Sequence, residues 1–245
     1  MSERHWPRSV LAASVLALLA AAAVTGCSGP ASQSQNQAAT QPAASAAATQ
    51  IGFTSAQLQG ALLARVNGQR PAAPVQSGEY GSLPDVQTSK QTMKEMKVTP
   101  ARCAQATTQT GFNSAAFTHA PASVVSFKLG SDGVSEVLVS TSPQVAATAL
   151  GVKLLAGCAH YRAIVDGKTF RYTVREIPLP GLGQQAHALN VKATGYSTVN
   201  VWSVVYRGSG FVGAVTMAGP DASEQAVEGL AQNALAHASQ TLTRS

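Results

Sequence analysis

The 245-residue chain is short of charge, of aromatic rings and of cysteine: 11% of its residues are charged, 5% are aromatic and three are cysteines. Its 17 basic and 11 acidic residues are scattered, with no run of Lys or Arg. Proteins that hold nucleic acid concentrate positive charge on a stripe or a helix, so no nucleic-acid partner is expected. The net charge of +6 supports only a weak, diffuse attraction to anionic envelope polymers or headgroups. His119, His160, His187 and His237 stand far apart, without the spacing that metal ligands need. No metal or cofactor is therefore expected. No spacing singles out a Ser, His and Asp set either, so the chain is not expected to be an enzyme. The longest run of small and aliphatic residues, 10–23, has about the length of a signal-peptide core and is too short to span a bilayer.

That run follows a leader carrying Arg4 and Arg8 and ends in Val24-Thr25-Gly26-Cys27. Small residues before a cut site let the backbone lie extended in a peptidase cleft. The pattern resembles the bacterial lipobox, in which the cysteine sulfur receives a diacylglyceryl group and becomes the new N-terminus, with palmitate-type acyl chains holding it in the cell membrane. Ordinary secretory cleavage near Ala23, or a free Cys27, is the alternative. Residues 1–26 thus read as a signal peptide. Without them the formal charge is +5. Two acyl chains give durable anchoring where one is marginal. The remaining cysteines, Cys103 and Cys158, are expected to form a disulfide outside the cytoplasm. Reactive or metal-binding thiols would need further ligands nearby.

Residues 27–50 hold Ala, Ser, Gln, Thr and Pro, with no charge and no large apolar side chain. Such a segment cannot bury enough surface to fold and reads as a tether. A folded domain over 51–245 opens at Phe53. Thr54 and Gln57 have capping-box spacing, and the helix they begin is expected to stop near Asn67-Gly68. Residues 69–90 read as a loop pinned by Tyr80 and Leu83, and Pro100 can open a short helix carrying Cys103. Strands are predicted over 123–129 and 134–140 around Asp132-Gly133, and over 161–165 and 168–176 around Asp166-Gly167. Further strands are predicted over 186–193, 198–206 and 211–217. Between them, Ser142-Pro143 starts a helix expected to run to about Ala159, with His160 at its end. A last helix is predicted from Asp221, with Val227, Leu230, Ala231, Ala234, Leu235, Ala238 and Leu242 on its apolar stripe. Hairpins dominate and strand–helix–strand alternation is lacking. The fold class is therefore α+β: one antiparallel sheet flanked by about three helices, with one disulfide.

Two strings fail on context. Gly181-Leu182-Gly183-Gln184-Gln185-Ala186 spells a dinucleotide fingerprint, but prolines precede it and a strand follows it. Arg207-Gly208-Ser209-Gly210 is hairpin-turn chemistry and not a nucleophile elbow. Over 168–176, alternation puts Thr169, Arg171, Thr173 and Arg175 on one face and Phe170, Tyr172 and Val174 on the other. The first face is either simply solvated or the floor of a shallow groove in which Arg171 and Arg175, with Arg207, meet an anionic ligand. Trp202, Val204 and Tyr206 share one face of their strand, and Val199, Val201 and Val205 the other. That strand should be covered on both sides, or Trp202 should floor a pocket.

The lipobox, the tether, the opening helix, the Cys103 and Cys158 pair, residues 205–212 (Val-Tyr-Arg-Gly-Ser-Gly-Phe-Val) and the alanine-rich closing helix together resemble the PknH-like extracellular domain family. That family is found in actinobacterial lipoproteins and as the outer sensor of a membrane serine/threonine kinase. The resemblance implies a helix-flanked antiparallel sheet with a cleft for an unidentified ligand. It also implies binding or sensing without catalysis on the extracytoplasmic face. Family members often have two disulfides, and this chain has cysteines for one. The alternatives are a structural or assembly partner of another envelope protein, and a cell-wall hydrolase. Replacing Cys27 with Ser should move the protein from the membrane to the soluble fraction on cell fractionation; a variant that stays in the membrane would overturn the anchor.

Overall fold

Strand alternation and turn chemistry build most of the domain. The computed structural model describes residues 52–107, 115–151 and 153–244, so Cys27, the signal peptide and the tether lie outside the described residues. In chain order the elements are α1 (Ser55–Ala61), β1 (Gln76–Glu79), α2 (Pro84–Glu95), β2 (Lys97–Thr99), β3 (Pro121–Leu129), β4 (Asp132–Ser140), α3 (Pro143–Leu150), β5 (His160–Val165), β6 (Lys168–Pro178), β7 (Gln185–Thr194), β8 (Thr198–Arg207), β9 (Phe211–Ala218) and α4 (Glu224–Leu242). The strands form a single antiparallel sheet in the order β1-β3-β4-β9-β8-β7-β6-β5-β2.

All seven predicted strands are present, within a few residues at each end. Asp166 and Gly167 both take positive φ, 48° and 73°, as a two-residue hairpin turn requires. The earlier hairpin turns two residues sooner than its Asp-Gly suggests, at Gly130-Ser131. Gly130 takes φ 60°, Leu129 pairs with Asp132, and Asp132 is the first residue of β4. Its carboxylate accepts the Asp221 N–H at 3.2 Å, tying the start of β4 to the turn before α4.

Thr54 and Gln57 form the capping box of α1. That helix ends at Ala61, well short of Asn67-Gly68, because the chain is drawn down onto the sheet: Leu62 is extended and the Leu63 N–H donates to Glu136 Oε2 at 2.8 Å. α3 stops at Leu150, not near Ala159, with Gly151 as its C-cap. His160 therefore opens β5 rather than ending a helix. The segment read as a loop, 69–90, contains β1 and the first half of α2, which has Pro84 in its first turn, Asp85 near its start and Lys94 near its end. Only Val86 of α2 is buried, so its sequence carries almost no apolar period. Four α-helices flank the single antiparallel sheet, and the fold class is α+β with one disulfide, as expected. Tyr80 and Leu83 are buried as expected, and Cys103 lies in a short 3-10 turn after Pro100.

One sheet face packs under α1 and α4. Phe127, Val125, Leu138, Val134, Val215, Met217, Val204, Trp202 and Tyr206 meet Leu58, Val227, Ala231, Ala234 and Ala238 there. The opposite face is covered at the β3–β4–β9 end by Tyr80, Leu83, Val86, Phe117, Ala146 and Leu150. At the β5–β6 end it is covered by Met96 and the Cys103–Cys158 disulfide, over Tyr161, Phe170, Tyr172 and Val174. β8 is thus covered on both sides, and Trp202 is part of the core beneath α4 rather than a pocket floor.

Both cysteines are completely buried. Closing their 55-residue separation removes denatured-state entropy worth about 4 kcal/mol. The double substitution Cys103→Ser, Cys158→Ser should lower the urea unfolding free energy by about that much; an unchanged midpoint would show that the bond contributes nothing.

Candidate functional site

Two helices cannot cover a nine-stranded sheet, and among the described residues the face beneath α1 and α4 is bare over β2, β5, β6 as far as Arg175 and the outer part of β7, while Ile177 packs against the core. Register fixes what it displays. Thr99, Arg162, Arg171 and Thr194 form one cross-strand row. His160, Thr173 and Lys192 form the next, and Arg175 with Asn190 the one after. On the other side of the first row lie Lys97, Ile164 and Thr169. Lys97, Arg162, Arg171, Arg175 and Lys192 are all exposed. Among the described residues, none of the side chains on this half-face is a carboxylate. The nearest along the chain is Glu176, next to Arg175, and strand alternation puts it on the opposite face of the sheet, across from Leu189.

The arrangement opposes like charges. Arg162 and Arg171 are direct partners across β5 and β6, and directly opposed like charges destabilise a sheet. None of the five cations is in an ion pair among the described residues, where the one such pair is His119 with Glu79 at 3.1 Å. Threonine fills the gaps, supplying neutral hydroxyls on a strand-compatible backbone. The result is a multivalent cationic floor beside the wall made by α4.

Alternation within β6 is as the sequence predicts: Arg171 and Arg175 are exposed, and Phe170, Tyr172 and Val174 are buried. Arg207 does not join them. It lies on the opposite face of the sheet, across from Val212, with a guanidinium nitrogen donating to Pro143 O at 3.3 Å. Arg162, Lys192 and Lys97 were missed because cross-strand register is not written in any single strand. Of the histidines, His160 Nδ1 lies 3.3 Å from Thr173 Oγ1. His187 is buried, which lowers its pKa, an effect partly offset by the Glu176 carboxylate. Large exposed apolar side chains among the described residues are Leu155, Ile164 and Tyr196. Gly181 to Gln184 turn into β7 with no helix following.

A second polar feature sits inside the core. Glu136 shares its face of β4 with Val134 and Leu138 and is almost wholly buried. Its Oε2 holds the Leu63 N–H, while Oε1 has no partner. The Tyr206 ring lies across Gly213, where no Cβ would fit, and its buried hydroxyl is also without a partner. Burial lifts the Glu136 carboxyl to about 7, with the Leu63 N–H pulling the other way. Burial, and then Glu136 itself, raise the Tyr206 phenol. The alternation of Val134, Glu136 and Leu138 was the signal that could have found this acid.

Fold and surface define a class: a single-sheet α+β domain, helices on both sides, with half of one sheet face left open and cationic. No family model and no curated protein matches the chain. Among solved structures it is similar to the extracellular domain of PknH from Mycobacterium tuberculosis, at 14% identity and a TM-score of 0.48 over 78% of this chain and 98% of that one. It is also similar to an uncharacterized protein from Mycobacterium smegmatis, at 17% identity and a TM-score of 0.41 over 59% of this chain and 76% of that one.

Glu136 gives a pH prediction. Its folded pKa, about 7, lies above its ordinary value of 4.5. Its contribution to stability is therefore fully present below about 4.5 and is lost as pH rises through about 7. Glu136→Gln keeps an acceptor for Leu63 and removes the proton loss. At pH 8 it should be more stable than the parent by on the order of 3 kcal/mol, with the gap closing towards pH 4.5 in thermal unfolding. A gap independent of pH would sink this account.

Proposed function

We propose that this protein is a membrane-anchored extracytoplasmic lipoprotein whose domain, residues 51–245, binds an anionic envelope ligand and performs no catalysis. The lipobox at Cys27 supports the anchor, and a buried disulfide fits an oxidising compartment. The observation that carries the binding reading is the bare half-face. Five exposed cations share it, two of them directly opposed, with no carboxylate among the described residues there. A face selected only for solubility would intersperse both signs. Single-sign charge held against its own repulsion is what an anion would relieve, and arginine pairs suit bidentate recognition of phosphate or carboxylate.

Inorganic triphosphate should raise the unfolding temperature relative to chloride at matched ionic strength. At one hundred times Kd the stabilisation would be about 2.7 kcal/mol. Arg171→Thr should abolish the shift while stabilising the unliganded protein by up to about 1 kcal/mol, because Arg162 then faces a hydroxyl. An Arg171→Thr variant that loses stability and still responds to triphosphate would overturn the assignment.

A further inference from the structure

The cations are not evenly spread over the bare half-face. Lys97 lies opposite Ile164, two residues along β5 from Arg162; Arg162 lies opposite Arg171; and Lys192 lies opposite Thr173, two residues along β6 from Arg171. With strands about 4.8 Å apart and a rise of about 3.4 Å per residue, successive steps are about 8, 5 and 8 Å. They trace a diagonal of about 20 Å from the edge strand β2 to the foot of α4. There Asn200, opposite Lys192, donates to Ala222 O at 2.8 Å just before the helix begins. Arg175 lies to one side of this line. Thr99, Thr173 and Thr194 flank it.

We infer that the ligand is an extended linear polyanion bearing phosphate-type charges, laid along Lys97, Arg162, Arg171 and Lys192. The inference rests on the anion-binding reading above and adds shape to it. A compact anion can engage Arg162 and Arg171 together but cannot bridge a line of about 20 Å. A flat anionic membrane is a poor fit too. α1 and α4 stand on the same side of the sheet and rise about 10 Å above the floor, so a plane would meet the helices first. A single chain fits on the floor beside α4, with a charge above each cation and the threonine hydroxyls as neutral donors to the charges between them.

The test uses the full chain carrying Cys27→Ser, so that no acyl chain competes, and three probes: orthophosphate, inorganic triphosphate and long-chain inorganic polyphosphate. Affinity per occluded site should rise at least tenfold from triphosphate to the long chain. The logarithm of the long-chain association constant should fall with that of salt with a slope of about −3, as for four counterions released from a flexible polyanion. Lys97→Gln with Lys192→Gln, at the two ends of the diagonal, should weaken the long chain at least tenfold, lower the slope to about −1.4 and leave orthophosphate unaffected. Equal affinity for short and long anions, insensitive to the end substitutions, would overturn the linear ligand while leaving an anion site at Arg162 and Arg171. No binding of any probe would remove both readings. Sedimentation with phosphatidylglycerol but not phosphatidylcholine vesicles, abolished by the end substitutions and without polyphosphate binding, would replace the polymer with a membrane surface.

Discussion

The width of the sheet governs the rest of this structure. Nine strands at about 4.8 Å spacing make a surface nearly 40 Å across, and two helices, each about 10 Å wide, cover roughly half of it. α1 and α4 bury the half over β3, β4, β9 and β8. The other half has to be soluble, so its outward positions must be polar. Solubility alone does not specify their sign, and there the sequence goes beyond what folding demands: threonines satisfy the backbone preference, while every ionisable side chain in the rows built on β6 is a potential cation.

The opposite side of that same half shows how a bare floor can still be rigid. Beneath Arg162 and Arg171, no long helix among the described residues packs on β5 and β6. The Cys103–Cys158 bond does so instead, together with Met96 and the stacked rings of Tyr161 and Tyr172, 4.9 Å apart and nearly parallel. Each tyrosine is the chain neighbour of one of the two arginines. The buried staple therefore fixes the strand positions that set the spacing of the cations. Preorganised spacing is what lets a multivalent site gain from each added charge without first ordering its own backbone.

Local rules in the sequence account for strands and turns. Asp166-Gly167 and the alternation over β6 put Arg171 and Arg175 on a common outward face, and the structure agrees. Relations between strands are another matter. Arg207 was grouped with these arginines, yet it faces the other way, because the side a residue presents depends on register accumulated over every intervening hairpin. Lys192 and Arg162 went unnoticed for the same reason. Helix ends failed where tertiary forces overrule periodicity. The Glu136 carboxylate claims the Leu63 N–H and ends α1 early, and α2 was invisible because it buries only Val86. The proposed lipid anchor at Cys27 is in a different position again: it rests on a sequence motif that lies outside the described residues.

Two departures from the most stable design remain, and they sit on the same sheet face. Glu136 brings an acid into an apolar core, where its proton is held to about pH 7 by burial. It is explained by the chain it holds: the segment after α1 gains a carboxylate acceptor that no apolar residue could supply. The opposed arginines hold nothing of the kind, since none of the cations is in an ion pair among the described residues. A substitution to threonine at either position would suit the strand and remove the repulsion. A cost without a structural return is the ordinary mark of a site kept for something that arrives from outside. That contrast, more than the count of charges, supports the proposed anion site on the open half of the sheet.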